Sequence, residues 1–260
     1  MNTQNEFSQA VREARARLLQ MHYKSGVGHI GGNLSCLDAL MVLHHQTLTP
    51  DDRFVLSKGH SAGALYIALW SLGRIADHEL DTFHKDGTRL SGHPSPNHLP
   101  DIPFATGSLG HGLSLASGLA LAKQIKGDAG RVYCLTSDGE WQEGSTWEAL
   151  IFAAHRRLPL TLLVDANGLQ GFGTTAQVAG MASLTAKLTA FGIPVTEIDG
   201  HDLDALTVSL SLAWDGVQAL VLRTRKGRGV SFMEGQMDWH YRPLSEAQYE
   251  QALQEVWGAA

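Results

Sequence analysis

The sequence is short of cysteine, of positive charge and of long apolar runs, and each shortage excludes a class of protein. Only two cysteines, Cys36 and Cys134, occur among 260 residues, which is too few for a disulfide framework or a cysteine-based zinc site. We expect both to be buried thiols in a reducing compartment. Lys and Arg number 20 against 26 Asp and Glu. They form no basic stripe, so nucleic acid is not an expected partner.

Membrane and export signals are also missing. No uninterrupted apolar run reaches the length that crosses a bilayer. The first 20 residues carry acids and lack an apolar h-region, so they do not resemble a signal peptide. We therefore expect a cytoplasmic protein that does not contact membranes. The length and the 43% of apolar residues suit one domain, residues 1–260, with a substantial core.

What the sequence does contain is an alternation of helices with short apolar strands. The patterns predict helices at 6–24, 35 onward, 61–73, 77–85, 108–126, 143–157, 181–191, 203–214 and 245–257. They predict strands at 53–57, 131–137, 160–166, 193–199 and 218–224, and a long loop at 86–107. Ser35 is a candidate N-cap for its helix. Such alternation favours an α/β fold, a parallel β-sheet with helices on both faces.

Polar residues follow two of these strands at the point where each strand ends. One strand ends in Ser137-Asp138-Gly139 and the next runs into Asp165-Ala166-Asn167. A right-handed crossover places both ends at the same edge of the sheet, where ligands of open α/β sheets bind. A carboxylate with an amide oxygen suits Mg²⁺ or Ca²⁺, and a helix N-terminus favours an anion. The pattern predicts a Mg²⁺–diphosphate site, although two turns that merely join elements fit it as well.

Longer stretches of the sequence resemble a known family. SDGEWQEGSTWEALIFAAHRRLPLTLLVDANGLQ (137–170) resembles the thiamine diphosphate motif, and most closely that of transketolases. Other segments resemble further elements in the family's order: SGVGHIGGNLS (25–35), DRFVLSKGHSAGALY (52–66), LSGHP (90–94), FATGSLGHGLSLASGLALA (104–122) and TRKGRGVSFMEGQMDWHY (224–241). The resemblance spans the chain and implies that residues 1–260 form the family's diphosphate-binding (PP-type) domain. Three positions depart from the family's pattern: Ser137 and Tyr241 each replace a glycine, and His111 replaces a glutamine.

The resemblance also implies roles for particular residues. Asp138, Asn167 and the backbone carbonyl of Leu169 would hold the divalent metal, which is Mg²⁺ or in its place Ca²⁺ or Mn²⁺. The remaining contacts with thiamine diphosphate would come from His60, Gly107, Leu109, Gly139 and His240. Catalytic contacts with the sugar would come from His29, His60, His93 and His240. Glu143 is counted with the catalytic residues, because it and Glu148 match a carboxylate network at the family's subunit interface; Glu140 is expected to be solvated.

A whole transketolase also has a pyrimidine-binding domain and a C-terminal domain, and the family's mechanism requires a glutamate from the former. Neither domain is recognised in this sequence. We therefore expect the N-terminal subunit of a split transketolase, which works only with a C-terminal partner subunit in an α₂β₂ assembly. The pair would transfer a two-carbon ketol unit between a ketose phosphate and an aldose phosphate. The sequence does not identify the sugars, and His111 and Tyr241 could mark a branched-chain substrate.

The residues also fit other interpretations. The chain could belong to another thiamine diphosphate enzyme, similar to deoxyxylulose-phosphate synthase or to the E1 component of 2-oxo-acid dehydrogenases, or be a non-catalytic cofactor-binding subunit. The G-x-G-x-x-G spacing in GVGHIGG (26–32) would fit a dinucleotide only after a strand, whereas a helix is predicted there. A flexible glycine loop with an incidental His29 is also possible. Lys226 and Arg228 are either phosphate contacts or part of a strand exit.

Overall fold

A sheet of five parallel strands lies at the centre of the computed structural model, which describes residues 3–181, 183–212 and 214–258. The strands are β1 (Arg53–Leu56), β2 (Val132–Ser137), β3 (Leu160–Ala166), β4 (Val195–Asp199) and β5 (Gln218–Arg223). Their order across the sheet is β1-β2-β3-β5-β4. Each begins and ends within one residue of its predicted bounds, apart from β4, which begins two residues late.

The helices are α1 (Thr3–Ser25), α2 (Ile30–Val42), α3 (Ala62–Ser71), α4 (Asp77–Leu80), α5 (Gly112–Lys126), α6 (Gly144–His155), α7 (Thr175–Ala179), α8 (Leu184–Thr189), α9 (Leu203–Ser211) and α10 (Glu246–Gly258). Short turns of 3₁₀ helix cover Gly59–Ser61, Gly139–Gln142 and Met237–His240, and a π-helical turn, Leu43–Thr47, follows α2. Within these residues no helix has the length and apolarity to cross a membrane.

Apolar side chains cover both faces of the sheet, which confirms the predicted fold class. Alternate strand residues point to opposite faces. Leu135 and Leu163 pack into a core with α1, α2 and α3, whereas Cys134 and Leu162 pack into a second core with α5 and α6. Both cysteines are free and buried, as expected.

Some predicted element boundaries were wrong. The helix expected from Ser35 begins at Ile30, and Ser35 lies inside it, where its hydroxyl donates to the carbonyl of Gly32. The helix predicted at 77–85 ends at Leu80. Helix α7 was not predicted, although Thr174 and Gln177 form a capping box at its start. The helix predicted at 181–191 includes residue 182, and the helix predicted at 203–214 includes residue 213; both residues lie outside the described ranges. The predicted domain, 1–260, also includes these two residues and residues 1, 2, 259 and 260, which lie outside the described ranges as well.

The register of the strands places the loops of the site. Ser137 of β2 pairs with Asp165 of β3, and Asp165 pairs with Leu222 of β5. The three central strands therefore end at the same level. The turns that follow them open side by side at the carboxyl edge of the sheet.

Candidate cofactor and substrate site

A cavity of about 410 Å³ opens at the carboxyl edge of the sheet. All of the residues that the sequence predicted for catalysis, cofactor binding or metal binding line it: His29, His60, His93, Gly107, Leu109, Asp138, Gly139, Glu143, Asn167, Leu169 and His240. They come from segments spread over more than 200 residues of the sequence. The fold thus brings the predicted set together, while the role of each residue remains a prediction.

Asp138 and the turn at Asn167 lie in contact, as the crossover argument predicted. The Asp138 carboxylate accepts hydrogen bonds from the backbone N–H of Gly139 at 2.9 Å and of Gly168 at 2.6 Å. Asn167 Oδ1 accepts from the N–H of Leu169 at 3.0 Å, which tightens the turn. The side chains at this point offer oxygen, which suits a hard cation such as Mg²⁺. Across the residues described, no cluster of three or more His, Cys, Asp or Glu forms another metal site.

The electrostatics of Asp138 also fit a cation. Burial, followed by repulsion from the Asp165 carboxylate, raises the pKa of Asp138 to about 6. Such a carboxyl lacks sufficient positive charge nearby, and a bound divalent ion would stabilise its ionised form.

A buried ion pair underlies this turn, and sequence reasoning missed it. Asp165, fully buried, accepts hydrogen bonds from Lys58 Nζ and from the hydroxyls of Ser35 and Thr224. It also accepts from Asn167 Nδ2 at 3.3 Å, which fixes the orientation of that amide. Burial opposes the charge of both partners, but their mutual attraction lowers the pKa of Asp165 and raises that of Lys58. The signal was present, because an acid inside the apolar run LTLLVDA requires a partner.

Glu140 is fully buried, so the expectation that it is solvated was wrong. Its Oε1 accepts hydrogen bonds from the Ser57 hydroxyl and from the N–H of Gly110 at 3.1 Å, and its Oε2 accepts from the N–H of Ser137 at 2.8 Å. Burial raises the pKa of Glu140 despite these bonds. The side chain ties the ends of β1 and β2 to the loop that carries Gly107 and Leu109.

Four histidine rings line one side of the cavity. Ring centroids of His29 lie 5.0 Å from His240, 5.6 Å from His60 and 6.1 Å from His93, and His60 lies 5.5 Å from His240. Burial lowers the pKa of all four, to about 4 for His29 and about 3 for His240; the neighbouring histidines and Lys226 contribute to several of these shifts. The rings are therefore neutral near pH 7 and act as hydrogen-bond donors and acceptors rather than as cations.

The GVGHIGG loop holds His29 in a left-handed conformation, with φ 65°, directly before α2. Its N–H donates to the carbonyl of His240 at 3.0 Å. A Cβ at Gly28 would lie 2.5 Å from the carbonyl oxygen of Tyr241, so glycine is required for this close approach. These contacts argue against a flexible loop. Helix α1 precedes the loop, which removes the dinucleotide interpretation.

Several lining residues were not assigned from the sequence. Gln170 Nε2 is buried without a hydrogen-bond partner and would lie 3.0 Å from a Cβ at Gly139, so a free donor faces the glycine of the Asp-Gly turn. Such an orphaned donor fits an anionic ligand at this position. Phe172, 85% exposed, and Val178 lie at the rim.

The residues whose roles the sequence did not decide separate into two groups, one inside the cavity and one outside it. Lys226 and Tyr241 line the cavity, whereas Arg228 lies in a different surface pocket, with its guanidinium 3.7 Å from Glu234. His111 is exposed and lies outside the cavity, where its Nδ1 contacts the carbonyl of Leu109.

Glu143 and Glu148, the two acids predicted to lie at a subunit interface, are both exposed to solvent. Glu143 precedes α6 and lies at the cavity wall. Glu148 lies further along α6, away from the cavity lining. Their place in an interface network stays a prediction.

Comparison with known proteins gives a consistent result. Residues 7–260 match the family described as transketolase, thiamine diphosphate binding domain. The chain is 39% identical over 255 residues to a protein of Phocaeicola vulgatus named as an apulose-4-phosphate transketolase subunit, covering 93% of this chain and 90% of that protein. It is 38% identical over 246 residues to a 6-deoxy-6-sulfo-D-fructose transketolase subunit of a Clostridium species, covering 90% of each.

The fold resembles solved structures of the same family. A crystal structure of transketolase from Campylobacter jejuni superposes with a TM-score of 0.86 and 28% identity over 98% of this chain. The present chain spans 43% of the length of that transketolase chain.

Proposed function

This chain belongs to the transketolase family and corresponds to the N-terminal, thiamine diphosphate-binding domain of its members. From that premise we propose that the chain is one subunit of a split transketolase. With a partner subunit it transfers a two-carbon ketol unit from a ketose phosphate to an aldose phosphate. The observation that carries the proposal is the single cavity in which oxygen donors, an orphaned amide donor and four neutral histidines meet.

The proposed cofactors are thiamine diphosphate and Mg²⁺, with Ca²⁺ or Mn²⁺ as substitutes. Asp138, Asn167 and the carbonyl of Leu169 hold the metal, and Gly139 with Gln170 faces the diphosphate. Further contacts come from the remaining lining residues: His60, Gly107, Leu109 and His240. When bound, thiamine diphosphate supplies the electron sink for cleavage of a carbon–carbon bond.

The residues of this chain position the sugar and its charge. Neutral imidazoles of His29, His60, His93 and His240 hydrogen-bond the hydroxyls of the ketose and stabilise negative charge that develops on its reacting oxygen. The partial burial of His29, His60 and His240 makes their hydrogen bonds stronger than in water, whereas His93 is exposed. Glu143, at the cavity wall, takes part in a proton-sharing network with acids of a second subunit.

The partner we propose is a C-terminal transketolase subunit that carries the pyrimidine-binding and C-terminal domains, in a cytoplasmic α₂β₂ assembly. Two relatives that match over nearly their whole length are named as subunits, and this chain spans 43% of a solved transketolase. Leu109, Phe172 and Val178 form an exposed apolar rim around the cavity, a surface suited to burial by that partner.

The relatives' names suggest which sugars to test. Apulose 4-phosphate and 6-deoxy-6-sulfo-D-fructose appear in those names, so the assay should include branched-chain and 6-substituted ketoses beside the common ketose phosphates. Tyr241 lies at the cavity mouth, where its hydroxyl occupies the space that a Cβ at Gly171 would need. We propose that this side chain limits the size of the donor sugar that the cavity accepts.

The experiment is to assay the purified chain alone and then with a C-terminal transketolase subunit from the same organism, using each ketose phosphate as donor. We expect activity only in the mixture, and full activity from the chain alone would disprove the split-subunit proposal. Activity with pyruvate as donor would indicate another thiamine diphosphate enzyme. Mg²⁺-dependent cofactor binding without turnover beside any partner would indicate a non-catalytic subunit.

A further inference from the structure

Lys226 is a buried cation without a carboxylate partner. The residue is 2% exposed, and among the ion pairs formed by the described residues none contains it. Among the described residues its side chain makes one hydrogen bond, which joins Nζ to Nδ1 of His240 at 2.9 Å. Lysine is rarely buried without a partner, so this contact requires an explanation.

The stem of Lys226 is held in place by the GVGHIGG loop. A Cβ at Gly31 would lie 3.1 Å from Lys226 Cγ and 3.2 Å from Trp239 Cβ. The N–H of Gly227 donates to the carbonyl of Gly31 at 2.9 Å. The ammonium is therefore fixed beside the imidazole rather than placed there by a mobile side chain.

The direction of the hydrogen bond follows from the charges of the two groups. Burial, followed by repulsion from Lys58, lowers the pKa of Lys226 to about 8, so the amine remains an ammonium at pH 7. An ammonium only donates. Nδ1 of His240 must then be the bare acceptor nitrogen, and because the ring is neutral its proton lies on Nε2.

We propose that Lys226 is a positioning residue that fixes His240 in the Nε2–H tautomer, with the Nδ1 lone pair occupied by the lysine. His240 then enters the cavity as a hydrogen-bond donor at Nε2, not as an acceptor or a base. The significance of that donor for the sugar's reacting oxygen rests on the proposed function, whereas the tautomer itself does not.

The test is nuclear magnetic resonance of the isolated chain with ¹⁵N-labelled histidine at pH 7, without partner or substrate. The His240 signals are assigned as those lost in His240→Gln. In the unmodified chain we expect a protonated Nε2 and an Nδ1 resonance shielded by an accepted hydrogen bond. In Lys226→Met we expect the Nδ1 resonance to move downfield and an Nδ1–H form to appear, while Lys226→Arg restores the shielding.

Lys123→Met is the matched control. Lys123 lies on α5, away from the cavity, and is also largely buried, but its ammonium donates to the carbonyl of Ala129. It should leave the His240 signals unchanged. A protonated Nδ1 in the unmodified chain overturns the proposal even if Lys226→Met does not fold. Unchanged His240 signals in a folded Lys226→Met overturn it as well. Because no turnover is measured, either result is independent of whether the chain is a transketolase subunit.

Discussion

The buried pair of Lys58 and Asp165 gives the sharpest test of how the site is supported. The two side chains are 1% and 0% exposed, so bulk solvent does not contact them. Replacing Lys58 with Met fills a similar volume but leaves Asp165 as an uncompensated buried charge. Removing one member of such a pair costs about 3–5 kcal/mol. That is a large part of the roughly 5–15 kcal/mol that holds a typical domain folded.

The measurement is urea unfolding at pH 7, supported by thermal unfolding. A loss of about 3–5 kcal/mol corresponds to a fall of roughly 6–20 °C in the unfolding midpoint for a chain of this size. Lys24→Met is the matched control, because Lys24 and Asp81 form an ion pair in which each side chain is 43% exposed. Exposed pairs contribute about 0–1 kcal/mol.

A double variant separates the pair from its surroundings. Lys58→Met with Asp165→Leu removes both charges, and it should recover part of the stability lost in Lys58→Met. The recovery will be incomplete, since Ser35, Thr224 and Asn167 then lose an acceptor. A cost below about 1 kcal/mol for Lys58→Met would refute the reasoning, because it would mean that water or another cation reaches Asp165.

Three further predictions concern the site and the core. Asp138→Asn should weaken Mg²⁺-dependent binding of thiamine diphosphate by more than about tenfold in calorimetry of the isolated chain. Asp128→Asn, in an exposed loop after α5, should bind the cofactor as tightly as the unmodified chain. Equal affinities of the two variants would contradict the metal assignment. Glu140→Gln places an amide N–H₂ against N–H and O–H donors. It should lower the free energy of unfolding, measured in urea, by roughly 1–3 kcal/mol. An unchanged free energy of unfolding would contradict this prediction. Burial lowers the pKa of His22 from 6.5 to about 4, so the unfolded chain binds the proton first as pH falls, and the stability that is present above pH 6.5 is lost toward pH 4. Between pH 7 and pH 4.5 the loss in the free energy of unfolding from His22 amounts to about 2.5 kcal/mol. His22→Leu should therefore lose less stability over that interval than the unmodified chain. A larger loss in His22→Leu would contradict the prediction.

The metal turn could be predicted from the sequence because its geometry depends on short-range rules. Asp138 and Asn167 are joined by one helix and one strand, and the handedness of the crossover is nearly invariant. Two strands in such a unit end at the same edge whatever the rest of the chain does. The alternation of apolar runs predicted the sheet for the same reason.

Other features could not be predicted, because their causes are distant in the sequence. Glu140 is buried by donors from Ser57 and Gly110, which lie 83 and 30 residues away. Nothing in the local sequence distinguishes it from a solvated acid at the start of a helix. Helix α2 begins five residues before Ser35 because His29 turns at a positive φ and is held by the carbonyl of His240. That contact joins segments more than 200 residues apart.

The exposed rim formed by Leu109, Phe172 and Val178 has a consequence for how the chain is made. A copy produced without its partner presents apolar surface at the mouth of a preformed cavity, which favours self-association. In the proposed assembly the partner covers this surface, so we expect an excess of this chain over its partner to self-associate. We expect the chain to stay in solution without aggregation up to a higher concentration when it is produced together with its partner than when it is produced alone. If the proposed partner buries this rim, the stability of the chain should rise with the concentration of that partner.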